Sequence, residues 1–153
     1  MICIFNNKVF SLSEIIRFLE NRNFEKFCFA NDYAYIYSSK TDEIIIEAPN
    51  NQISDEVTEL AIRVFKELDK CVSMAYKWLE HFNLKNDRWY PDALDKGFEI
   101  SGIYFGQYGY GHQQKPFTDG FTISLSTINY YPCNFTVKFH KNMHPFAVEE
   151  WVF

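Results

Sequence analysis

The sequence lacks the features that place a chain in a membrane or on nucleic acid. No apolar run approaches the roughly 18 residues that cross a bilayer. The opening "MICIFNNKVF" has neither the basic region nor the long apolar stretch of an export signal. The net charge is −5, so the basic footprint that nucleic acids require is missing too. These absences predict a cytoplasmic protein that contacts neither membrane nor nucleic acid.

Patterned cysteines and histidines are also missing. The four cysteines lie far apart and include no Cys-x-x-Cys pair: Cys3, Cys28, Cys71 and Cys133. Such spacing is typical of reduced thiols. His140 and His144 stand four apart, but where a strand runs into a turn they need not face each other. We therefore expect reduced cysteines, no metal site and no cofactor.

Aromatic residues are abundant. The 153 residues include 16 Phe and 10 Tyr, and 47% of the chain is hydrophobic. A chain of this length buries roughly two thirds of its unfolded surface. We predict one domain, residues 1–153.

Hydrophobic periodicity predicts two helices. In "SLSEIIRFLENR", Ser11 and Glu14 have the spacing of a capping box before an apolar face. In "SDEVTELAIRVFKELDKCVSMAYKWLEHF", apolar residues recur at three- and four-residue steps after Ser54, a favourable N-cap. This second segment predicts a long central helix that could bend or break near Lys70.

Strands are predicted on both sides of the long helix, from alternating residues separated by turn signals. Short connections favour antiparallel hairpins, Gly102 suggests a bulge, and "FAVEEWVF" reads as an edge strand of a monomer. The predicted fold is an α+β two-layer domain, a mostly antiparallel sheet packed on one long central helix plus a short N-terminal helix. Its solvated sheet face would carry Glu99, Ser101, Thr122, Ser124, Ser126, Thr136, Lys138 and His140.

Negative charge is concentrated between Asp42 and Asp69, a segment that contains eight acidic and two basic residues. This segment suits a basic partner. Asp55, Glu56 and Glu59, at the start of the long helix, are the predicted contacts. The alternative is an ordinary solvated helix face.

The stretch "YFGQYGYGHQQKPF" contains G-x-x-G-x-G, the reverse of the dinucleotide fingerprint, and a strand rather than a helix follows it. It therefore predicts a long hairpin loop and no phosphate site. Tyr108, Tyr110 and His112 would be displayed for a partner, together with Lys138 and His140 nearby. That the rings instead fold back onto the core stays open.

No catalytic residues are predicted. Glu99 with His140 could act as an acid–base pair, and Cys133 with His140 or His112 as a nucleophile and base. "YYPCNF" lacks the elbow or helix start that would activate the thiol. The alternative function is a small ligand-binding domain or enzyme that uses Glu99, Lys138 and His140 under the glycine loop.

The acidic segment Asp42–Asp69, the loop "GQYGYGHQQKPF" and the end "HPFAVEEWVF" together resemble bacterial immunity proteins. Those proteins neutralise the toxins of contact-dependent and other polymorphic systems. The resemblance implies a non-enzymatic inhibitor that binds one cognate toxin domain tightly and stoichiometrically, often a basic nuclease. Immunity proteins share this function and not one fold, so no residue roles are carried over.

Overall fold

The computed structural model describes residues 8–86, 98–106, 120–127 and 133–152. These ranges contain eight strands and three helices: β1 Val9–Phe10, α1 Leu12–Glu20, β2 Cys28–Ala30, β3 Tyr33–Ser38, β4 Asp42–Glu47, α2 Asp55–Lys66, α3 Leu68–Asn86, β5 Phe98–Phe105, β6 Phe121–Thr127, β7 Cys133–Phe139 and β8 Pro145–Val152. A single 3-10 turn, Pro49–Asn51, precedes α2. The predicted loop residues Tyr108, Tyr110 and His112 lie outside the described residues.

The described strands form one sheet in the order β1–β3–β4–β5–β6–β7–β8, with β2 also paired to β3. Every hairpin is antiparallel as predicted. Two pairings are parallel, β1 with β3 and β4 with β5. The second follows from the connection, because α2 and α3 carry the chain back across the sheet before β5 begins. The predicted bulge is confirmed by a register shift between Ile100 and Gly102.

The first helix begins as its sequence predicts. Ser11 Oγ accepts a hydrogen bond from the Glu14 amide, and the Glu14 carboxylate accepts one from the Ser11 amide, both at 3.2 Å. This reciprocal pair satisfies two amides that a helix start leaves open. The hydrogen bonds that the Glu14 carboxylate accepts from the Ser11 amide and the Ser11 hydroxyl lower the pKa of Glu14. Ile15 and Leu19, one turn apart, are fully buried.

The prediction of one long central helix is wrong: α2 and α3 are separate helices that meet at Glu67. Glu67 adopts φ −114° and ψ 27°, and its amide N–H donates hydrogen bonds to two carbonyl oxygens of the preceding turn. The break lies three residues before Lys70, near which a bend or a break was considered possible. Val64, Leu68 and Cys71 are all buried. The apolar stripe therefore continues across the break, and periodicity alone cannot reveal it.

The helices cover one face of the sheet, here called the inner face. The Phe65 ring on α2 meets the Phe105 ring on β5 edge-on, with centroids 5.3 Å apart. Phe121 and Phe139 stack with centroids 4.5 Å apart between β6 and β7. Such ring pairs add about 0.5–1.5 kcal/mol each beyond burial. Aromatic rings therefore make up much of the core.

Two cysteines have a described state. Cys28 is disulfide-bonded, so the prediction of reduced thiols is wrong there, because spacing along the chain does not report distance in space. Cys71 is a free, buried thiol, and burial raises its pKa to about 11. Disulfides are rare in reducing compartments, so the cysteines do not support the cytoplasmic location, which stays a prediction.

None of the described helices is long and apolar enough to span a membrane.

Candidate functional site

The predicted acidic residues of α2 lie on an open surface at its first two turns. The side chains of Asp55 and Glu59 are 88% and 71% exposed, and Glu56 is exposed as well. Arg22, after α1, lies 3.4 Å from the Asp55 carboxylate and 3.9 Å from that of Glu59. Surface ion pairs contribute about 0–1 kcal/mol. A cationic partner could therefore displace Arg22 at little cost.

These carboxylates also have a local structural role. Ser54 Oγ caps α2 by accepting a hydrogen bond from the Val57 amide at 3.2 Å. Acidic side chains in the following turn interact favourably with the partial positive charge of the helix start. Stabilisation of the start of α2 is therefore by itself a sufficient reason for Asp55 and Glu56 to be acidic.

The acidic segment is divided between two surfaces. Glu43 and Glu47 belong to β4, where the intervening residues Ile44 and Ile46 point into the core. Because successive side chains on a strand alternate, Glu43 and Glu47 lie on the opposite face of the sheet, here called the outer face. The acids of α2 lie on the helical side. The acidic residues of β4 and of α2 are close along the chain, but the fold places them on different sides of the sheet.

A row of mostly polar residues crosses the outer face, each one directly opposite the next on the neighbouring strand. This polar row is Tyr37, Glu43, Gly102, Ser124, Thr136 and Glu149. Ser124 and Thr136 are only 4% and 9% exposed. The predicted facing of these hydroxyls is right, but the prediction that they meet water is wrong. The Ser124 hydroxyl is hydrogen-bonded with that of Ser101 on β5, 3.0 Å away.

A second row runs beside the first and is here called the aromatic row: Tyr35, Ile45, Tyr104, Thr122, Lys138 and Ala147. Ile45 is fully buried although it lies outside the main core. A side-chain carbon built on Gly102 would fall 2.6 Å from the Tyr104 hydroxyl oxygen. The Tyr104 ring therefore leans out of its own row and fills the space above Gly102.

Glu43 carries an uncompensated carboxylate in the polar row. Among the described residues, none forms a hydrogen bond or ion pair with it, and burial raises its pKa. Burial and the neighbouring Glu43 charge raise the pKa values of Tyr35 and Tyr37. A half-buried charge without a partner costs free energy that a bound cation would recover.

Lys138, predicted to contact a partner, is engaged within the protein. Its Nζ lies 2.6 Å from Glu149 Oε1, and the two side chains are 12% and 32% exposed. Glu149 Oε2 is buried and has no hydrogen-bond partner in the part of the chain that the structure describes. Lys138 therefore neutralises Glu149 and presents little surface.

His140 lies just beyond the end of β7 and is exposed. Its ring stacks on the half-exposed Phe146 ring, with centroids 4.1 Å apart. Together they form a small aromatic surface at one end of the β7–β8 hairpin. His140 is therefore exposed, whereas Lys138 is mostly shielded, and contact of either residue with a partner stays a prediction.

Among the described residues, the groups considered for catalysis are not brought together; His112 lies outside those residues. Glu99 is opposite Ser126 near one end of β6, whereas His140 follows the residue opposite Phe121 at the other end. Five residues of strand separate these ends by about 17 Å. Cys133 and His140 stand at opposite ends of β7, roughly 23 Å apart by the same spacing.

The position of Glu43 among tyrosines was not predicted from the sequence. The signal was present, because the alternating "YAYIYS" is joined to "DEIIIE" by the short turn "SKT". A hairpin pairing of these segments places Tyr37 opposite Glu43. The parallel partner β5, which brings Tyr104 to the same place, could not be found in this way.

No protein-family model, curated protein or solved structure matches this chain. The two acidic surfaces and the residues around them are therefore the features that bear on its function.

Proposed function

We propose that the protein is a non-enzymatic binding domain that captures and neutralises a basic protein partner, in the manner of the immunity-type inhibitors that it resembles. The observation that carries the proposal is the exposed group of carboxylates at the start of α2, Asp55, Glu56 and Glu59. The partner would be a cognate toxin domain bound by one copy of this chain.

Exposed charge of this kind acts mainly on the association rate. Complementary charges steer two proteins together from a distance and raise the rate well above that of a neutral pair. The range of steering is about 10 Å at 0.1 M salt and about 3 Å at 1 M salt. Association with a basic partner should therefore slow as salt rises, while dissociation changes less.

The alternative, a ligand-binding domain or enzyme, receives less support. It requires Glu99, Lys138 and His140 to converge, but strand register separates Glu99 from His140. Lys138 is also paired with Glu149.

The test is neutralisation of the α2 carboxylates with side chains of the same shape, in a D55N/E56Q/E59Q variant. Tagged wild type and variant are used to capture partners from a lysate of the source organism at about 0.1 M and about 1 M salt. Association and dissociation rates are then measured with the captured protein. We expect the variant to associate about tenfold more slowly at low salt and to match the wild type at high salt.

A matched control removes three exposed carboxylates elsewhere, in an E25Q/D69N/E80Q variant. Both triple variants carry the same net charge, so a difference between them reports position and not total charge. An equal loss of rate in the two variants would contradict a specific α2 surface. Failure to capture any stoichiometric basic protein at low salt would contradict the proposed function itself.

A further inference from the structure

We infer that Glu43 and the tyrosine rings around it form a site for the guanidinium group of an arginine side chain supplied by a protein partner. This inference rests on the proposed function for the source of the arginine. The residues of the site, here called the Glu43 site, are Tyr35, Tyr37, Glu43 and Tyr104.

Strand pairing places rings on both sides of the carboxylate. Glu43 directly opposes Tyr37 on β3, and Tyr35 lies two residues away on the same face. On the other side Glu43 opposes Gly102, over which the Tyr104 ring leans. Directly opposed side chains on neighbouring strands have Cβ atoms about 5 Å apart, and rings reach diagonal neighbours as well. Glu43 therefore stands between aromatic side chains.

The charge of the Glu43 site is unbalanced within the described protein. Lys138 is the cation of the neighbouring row, but it lies on β7, three strands from β4, or about 14 Å by strand spacing. It is also held by Glu149 at 2.6 Å. None of the described residues forms an ion pair with Glu43. A ligand that reaches this carboxylate must bring its own positive charge.

Arginine fits these surroundings better than lysine. Its guanidinium is planar, stacks on aromatic faces and presents two parallel N–H donors to one carboxylate. It is also more weakly hydrated than an ammonium group, so a half-buried site costs it less. Cations over tyrosine rings gain further electrostatic attraction from the ring face.

The test uses three small probes: N-acetyl-arginine amide, N-acetyl-lysine amide and N-acetyl-citrulline amide. Citrulline has nearly the shape of arginine without the charge. Binding to the full chain is followed by NMR, from the Glu43 side-chain carboxyl signal and the Tyr37 ring signals. We expect the arginine probe to bind with millimolar affinity, and the other two at least about fivefold more weakly. Equal binding of the arginine and citrulline probes, or tighter binding of the lysine probe, would overturn the assignment.

The E43Q variant locates the site. It should weaken the arginine probe about tenfold, because the charge-assisted hydrogen bonds lose their charged acceptor. The control is E99Q, which removes an exposed carboxylate from another strand position of the outer face and should leave the probe's affinity unchanged. Equal affinity for the E43Q variant and the wild type would overturn the inference. A Y37L variant, which removes a ring but keeps the charge, should also weaken the arginine probe.

Failure of this inference can be told apart from failure of the proposed function. The probe experiment needs no partner and reports the outer face alone, whereas the α2 variants report the helical side. Partner capture without probe binding would overturn the Glu43 site and leave the binding function standing. Probe binding at Glu43 without any captured partner would support the site's preference for guanidinium and overturn the protein partner as its source.

Discussion

Replacing Lys138 by methionine tests whether the Lys138–Glu149 pair belongs to the folded protein or to a binding surface. The two side chains meet at 2.6 Å on the outer face, largely shielded from solvent. Glu149 Oε2 is already buried without a donor among the described residues. Loss of Lys138 would leave both oxygens of a shielded carboxylate without a cation.

The expected loss of stability follows from removing one charge of the pair while the other stays in place. Removing one member of a buried ion pair costs about 3–5 kcal/mol. Glu149 is about one third exposed, so water recovers part of that, and we expect about 2–3 kcal/mol for K138M. Replacing both members, in K138M/E149L, should fall within about 1 kcal/mol of the wild type, because no unpaired charge remains. At this chain length each kcal/mol lowers Tm by about 2–4 °C.

Urea denaturation of the wild type, both variants and a control gives these free energies of unfolding. The control is K66M, which removes the lysine of an exposed pair with Glu20 at 3.3 Å and should cost at most about 1 kcal/mol. A K138M variant that loses no more stability than K66M would refute the reasoning. Lys138 would then be available to a partner, as the sequence alone predicted.

Two further predictions concern other parts of the sheet. G120A should destabilise by about 1–3 kcal/mol in thermal unfolding, because the new carbon would fall 2.5 Å from the Phe139 carbonyl oxygen and force β6 from β7; an unchanged Tm would contradict this close approach. E43Q should gain stability over the wild type as pH rises. Burial raises the pKa of Glu43 above its unfolded value, so below about pH 4 the carboxyl is neutral in both states and costs nothing. Above the folded pKa the charged form of Glu43 opposes folding of the wild type. The prediction would be refuted if the stability difference between E43Q and the wild type did not change from about pH 4 to about pH 7.

Local structure was predictable because its causes lie within a few residues. Ser11 and Glu14 determine where α1 begins, and Ser54 determines the start of α2. Alternation predicted which side of β6 and β7 is apolar, and Gly102 predicted the bulge. The exposure of the α2 acids followed from the same periodicity. In each case the decisive interaction spans four residues or fewer, or repeats with the period of the element.

Features that depend on distant segments were decided only by the tertiary structure. The break at Glu67 leaves the apolar stripe intact, and the disulfide of Cys28 depends on distance in space. The parallel pairing of β4 with β5 joins segments separated by both α2 and α3. That pairing brings Tyr104 beside Glu43 on the outer face, which is the second surface formed by the acidic segment. The sequence by itself determined the elements, their caps and their apolar faces. The register between distant strands determined which charged side chains form ion pairs within the protein and which do not. The sequence alone could not provide that register, because it depends on how the whole core packs.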